Sequence, residues 1–217
     1  MSRKIMILLL VVMVPAMANA GLVTFDFSGG SGGTHGSVPE GNIRTFSAGG
    51  VSVDVSGWSF PNGNNSAGSV TDEFLGHYGN GLGVMWQSGD NHTVDNDGRD
   101  DFVQFEFGQN VAPIRVEIAR YGDGDFNYLH GDLKNKGGWS LNNNPSGSGG
   151  ATMWANLGDG TTFTDVLRIA AKFSDTNDKF KIRRLEVNVV PVPVPGAFLL
   201  AGLGTLGVSW VRRRRSL

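Results

Sequence analysis

The chain contains no cysteine. That single absence excludes disulfide bridges, thiolate catalysis and cysteine metal ligands together. Net charge is nearly absent too: 18 Lys and Arg stand against 20 Asp and Glu in 217 residues, a balance of −2. Such a chain lacks the basic field that general nucleic-acid binding needs. The sequence holds no nucleophile elbow, no P-loop and no G-x-G-x-x-G after a strand. Its four histidines, His35, His77, His92 and His130, lie far apart and never at H-x-x-x-H or H-E-x-x-H spacing, which argues against zinc. The body of the chain also lacks a convincing amphipathic helix; "TDEFLGHY" (71–78) reads as one helical turn at most.

What is present begins with a leader. "MSRKIMILLLVVMVPAMANA" sets Arg3 and Lys4 before an apolar run from Ile5 to Val14 and closes with Ala18-Asn19-Ala20. That order is the layout of a secretory signal peptide cleaved after Ala20. Residues 21–190 then make a body of about 170 residues, long enough to bury roughly 68–70% of its unfolded surface without staples. A cysteine-free exported chain suits a Gram-negative host.

The body reads as β-structure. Alternation points Val23, Phe25 and Phe27 one way, and likewise Val51, Val53 and Val55. "FVQFEF" buries Val103, Phe105 and Phe107 and exposes Gln104 and Glu106; "IRVEI" buries Ile114, Val116 and Ile118 and exposes Arg115 and Glu117. Leu167, Ile169, Ala171 and Phe173 share a face. In "FKIRRLEVNVV" the inward set switches from Phe180 and Ile182 to Leu185, Val187 and Val189, which predicts a β-bulge at Arg183-Arg184. The 33 glycines cluster with Asn, Ser and Asp between these runs, as turns require. Many short strands separated by turn-rich segments predict one all-β domain, a sandwich or jelly roll, over 21–190.

Two acidic loops are candidate metal sites. "GDNHTVDNDGRDDF" crowds Asp90, Asp95, Asp97, Asp100 and Asp101 together with one arginine. "GDGDFN" sets Asp123, Asp125 and Asn127 at alternate positions. Carboxylates so crowded repel unless a cation or donors compensate, and oxygen-rich loops are what calcium prefers. The first loop is no EF-hand, since aligning Asp97-Gly98 would make Thr93 its first ligand and Gln104 its last. Asp95, Asp97, Asp100, Asp101, Asp123 and Asp125 are therefore the calcium candidates, the other reading being solvated acidic loops. Trp58, Trp86, Trp139 and Trp154 lie near loops and offer faces for stacking on sugars, although such residues more often pack in cores and rims.

The last segment, "VPVPGAFLLAGLGTLGVSWVRRRRSL", has a distinct order. From Gly196 to Val211 it is uncharged, about 24 Å as a helix; counted from Val192 the run approaches the roughly 20 residues that cross a bilayer. Arg212, Arg213, Arg214 and Arg215 follow at once, and the positive-inside rule keeps them in the cytoplasm. Ala197, Ala201, Thr205 and Ser209 recur every four residues, a stripe that admits another transmembrane helix closely.

With proline motif, apolar helix and arginine cluster in that order, residues 191–217 resemble the PEP-CTERM class of bacterial sorting signals. The nearest form is the VPLPA variant, with Val192-Pro193-Val194-Pro195-Gly196 in place of its motif and without the glutamate of Pro-Glu-Pro. The resemblance implies a substrate rather than an enzyme. Its partner would be an exosortase that processes the tail during export through the inner membrane, and its setting the cell surface, exopolysaccharide or biofilm. Two rivals remain from the sequence: a carbohydrate-binding or carbohydrate-active domain using loop carboxylates and tryptophans, and a plain single-pass anchored protein.

Overall fold

The computed structural model describes residues 21–30, 43–61, 70–87, 89–131, 137–142, 151–174 and 176–189. The expected cleavage residues Ala18 and Ala20, the motif Val192–Gly196 and the cluster Arg212–Arg215 lie outside them. Residues Gly21–Val190 cluster as one compact unit. Every regular element described is a strand: β1 (Gly21–Asp26), β2 (Ile43–Ala48), β3 (Val51–Pro61), β4 (Thr71–Tyr78), β5 (Gly81–Met85), β6 (Val94–Asp95), β7 (Arg99–Arg120), β8 (Phe126–His130), β9 (Ser140–Asn142), β10 (Thr152–Asn156), β11 (Thr164–Ala171) and β12 (Lys179–Val189). Among the described residues no helix is long and apolar enough to cross a membrane.

The all-β expectation holds, but the sandwich does not. The strands form one continuous sheet in which β3, β4, β5, β12 and β7 pair in turn, and a β12–β7 ladder closes them into a five-stranded barrel. The cause is the 22-residue β7. "FVQFEF" and "IRVEI" read as two strands, yet the backbone at Gly108 between them does not enter the positive-φ region a tight turn would need. The chain stays extended, with residues 99–107 paired to β3 and residues 111–120 paired to β12. One strand thus belongs to both sides of the molecule. The remaining strands extend the barrel: β1 and β6 on β12, β2 on β3, β10 on β7, and β11, β8 and β9 in succession from β7.

Local chemistry explains several joints. The β2–β3 hairpin turns on Gly49 and Gly50, with φ of 55° and 79°, the two positive values of a type I′ turn. The expected bulge in β12 is present: its ladder with β7 shifts between Ile182 and Arg184. That extra residue keeps Phe180 and Ile182 inward below it and Leu185 and Val187 inward above it. "TDEFLGHY" is strand β4, not a helical turn. Its partner β5 supplies the reason, because Gly76 faces Gly83 across the ladder. A Cβ on Gly83 would lie 2.0 Å from the His92 carbonyl oxygen, so only glycine admits this approach. Tertiary pairing here overrides the local pattern.

The core fills the barrel with Phe25, Phe27, Val53, Val55, Val103, Phe105, Ile118, Leu167, Ile169 and Leu185, all essentially solvent-free. Phe27 packs edge-on against Phe46 at 4.9 Å. Burial of each such side chain contributes about 1.5–3 kcal/mol. A second cluster lies on the opposite face of the β3–β7–β11 sheet, where Phe60, Phe102 and Ala170 pack with Trp58, Val70, Trp139 and Phe173. Four expected placements change. Gln104 is buried on that second face, where its Oε1 accepts from Nε of the fully buried Arg168 at 2.6 Å and its amide donates to Glu106. Glu117 is buried beside Arg184, 3.5 Å away. Ile114 is only half-buried because the β12 ladder slips a second time, between Glu186 and Val187, where it passes from Arg115 to Pro113. Phe173 joins the second cluster rather than the face of Leu167 and Ile169.

Candidate functional site

Both acidic loops lie at the same end of the barrel, which the sequence left open. Strand β6 sets Asp95 opposite Lys179 of β12, and the Lys179 N–H donates to the Asp123 carbonyl at 3.0 Å. Lys172 joins the loops from another direction. Its carbonyl accepts from the Asn96 side chain at 2.6 Å, and its ammonium sits 3.0 Å from Asp125 Oδ2.

Within the first loop the candidate carboxylates diverge. Asp95 is buried, with Oδ2 accepting from the Thr93 hydroxyl at 2.6 Å and Oδ1 from the Asp97 N–H at 3.0 Å. Burial raises its pKa against those two hydrogen bonds. Asp97 projects into solvent and pairs with Lys179 at 3.2 Å. Asp100 stands opposite Phe60 in the β3–β7 ladder. Asp101, one residue on, points the other way into the barrel end opposite Ser59. It is fully buried, and neither carboxylate oxygen has a hydrogen-bond partner among the described residues. Burial, followed by the charges of Asp95, Asp90, Glu73 and Asp100, raises its pKa well above the ordinary range. Beside it Glu73 accepts from Ser59 at 2.6 Å and from Arg99 at 2.7 Å, and Arg99 stacks on Trp86 at 5.1 Å.

The second loop is assembled differently. Among the described residues Asp123, Asp125 and Asp178 bring one carboxylate oxygen each within 4.8 Å of one another. Asp123 and Asp178 face each other across an isolated parallel bridge. Gly122 makes this possible, since a Cβ there would lie 2.4 Å from the Asn177 carbonyl oxygen. The Asp125 N–H donates to Asp178 Oδ1 at 3.1 Å, and the Gly124 N–H to Asp123 Oδ1 at 2.8 Å. Sequence reasoning found Asp123 and Asp125 and missed Asp178. Nothing around Asp178 marks it locally; only the pairing of two distant segments does.

The aromatic and histidine candidates are engaged with the protein. Trp58 stacks on Phe102 and donates to Ser56, Trp139 packs in the second cluster, and Trp154 lies under Arg115 at 4.5 Å. His77 meets Phe46 edge-on, and His92 stacks on Tyr78 at 5.3 Å. Burial raises the Tyr78 pKa to about 12, while Lys181 sits 3.9 Å above its ring. His130 borders a cleft of about 510 Å³ with Tyr128, Ser140, Asp159 and Thr162 among its walls. Its Nε2 is buried without a hydrogen-bond partner among the described residues, and burial lowers its pKa. His35 lies outside the described residues.

The tail is the part of the chain that a known family model matches. Residues 191–215 match the family model of the PEP-CTERM protein-sorting motif. The motif implies an exported protein that is sorted by an exosortase, held in the membrane and then passed to the surface. Neither a curated protein nor a solved structure matches the chain.

Proposed function

We propose that this protein is a non-enzymatic component of the bacterial cell surface or extracellular matrix, delivered as a β-barrel domain on a PEP-CTERM tail. The observation that carries the reading is the motif match over residues 191–215. In this reading Val192–Gly196 presents the processing segment at the outer face, and the apolar run to Val211 crosses the inner membrane. Arg212–Arg215 hold the C-terminus in the cytoplasm, each costing about 2.5–3.5 kcal/mol at the membrane centre. Association with exopolysaccharide or biofilm belongs to the same reading. Replacing Pro193 and Pro195 by alanine tests it through protease accessibility on intact cells. The variant should insert but stay in the membrane fraction, whereas the native protein reaches the surface. Equal surface exposure of both overturns the reading.

One observation favours a second reading, a carbohydrate-binding domain. The cleft beside His130 combines an aromatic wall at Tyr128 with hydroxyl and carboxylate groups at Ser140, Thr162 and Asp159, the mixture a polyol needs. Titration with neutral oligosaccharides, compared between the native protein and Tyr128→Ala, decides it.

A further inference from the structure

We propose that Asp123, Asp125 and Asp178 bind a divalent cation of the calcium class at the end of the barrel. Three carboxylate oxygens within 4.8 Å of one another give a hard, oxygen-only donor set, the kind that calcium takes and softer metals do not require. Two of the three side chains are drawn out of water: Asp178 is fully buried and Asp125 is 7% exposed. A second observation is independent of the clustering. Asp125 Oδ2 accepts from Lys172 at 3.0 Å, but its Oδ1 is buried and accepts no hydrogen bond from the described residues. A buried carboxylate oxygen without a donor carries the full cost of its lost hydration, and a bound cation removes that cost.

The scaffold holds the three groups before any ion arrives. Asp123 and Asp125 ride on one short turn after β7, and Asp178 enters β12 from the facing segment. Gly122 lets the two segments touch, and Gly124 leaves room for the Arg120 stem, which a Cβ would approach to 2.6 Å. Lys172 is the cation that flanks the group, 3.0 Å from Asp125 Oδ2. It partly offsets the charge of the three carboxylates, which places the affinity in the weak extracellular range, about 10⁻⁴–10⁻³ M, rather than that of a tight buffer. The first acidic loop takes no part: Asp95 is satisfied by Thr93 and Asp97, and Asp97 is turned outward to Lys179.

The test is calorimetric titration of the chelator-stripped full chain, in detergent, with CaCl2. The expected result is one calcium per chain, with a melting temperature that rises with calcium. Asp123→Asn, a half-exposed position that folding tolerates, should weaken binding at least tenfold. Asp178→Asn should abolish binding, with circular dichroism checking its fold. Asp97→Asn in the other loop should bind as the native chain does. Absence of heat and of any melting shift in millimolar CaCl2 overturns the proposal and leaves Lys172 as the counter-charge of Asp125. Binding that survives Asp123→Asn but is lost in Asp97→Asn overturns it in favour of the first loop. Neither outcome touches the sorting reading, which rests on the tail.

Discussion

Replacing Asp101 by asparagine should stabilise the protein, and by an amount that depends on pH. Asp101 is fully buried, its two oxygens lack hydrogen-bond partners among the described residues, and burial with four acidic neighbours raises its pKa well above the ordinary range. An acid whose folded pKa is raised leaves stability intact below the unfolded value of about 3.9. As pH climbs, the unfolded chain releases the proton first, and stability falls until the folded pKa is passed. Asparagine keeps the shape and removes the titration. Leaving a buried polar group unsatisfied costs about 1–3 kcal/mol, and more when it is charged. At roughly 2–4 °C of melting temperature per kcal/mol for a domain of this size, the gain is several degrees at pH 8. At pH 4 the two proteins should melt nearly together. Melts are run in chelator so that no cation contributes. A lower Tm for Asp101→Asn at pH 8, or one equal shift at both pH values, refutes the reasoning.

Other expectations follow from the packing. Phe105→Ala empties a solvent-free core position and should cost about 3–5 kcal/mol by denaturant unfolding. Gly83→Ala drives a methyl onto the His92 carbonyl and should cost about 1–3 kcal/mol or more by the same assay. Inserting one alanine between Arg184 and Leu185 turns Leu185 and Val187 outward, so limited proteolysis should show loss of the folded barrel.

The sequence made strands legible wherever one face is apolar and the other polar. Val51–Val55 and the phase switch at Arg183 were read correctly because a period of two leaves no other interpretation. It failed where both faces are covered. Gln104 and Arg168 look like solvent residues, but the second aromatic cluster buries that side of β7 and β11. The barrel was illegible for a related reason: closure depends on β7 running straight through Gly108, and a glycine followed by Gln and Asn reads locally as a turn. Asp123 and Asp125 announced themselves by spacing, while Asp178 joins them only through a long-range bridge.

The central claim is that the tail is a processing signal, and the mature C-terminus tests it most directly. Mass spectrometry of the protein from a host with its exosortase should show a chain ending near Val192–Gly196, with Arg212–Arg215 removed. From the same host lacking the exosortase the tail should be intact. An intact tail in both hosts contradicts the account and leaves a permanent single-pass anchor.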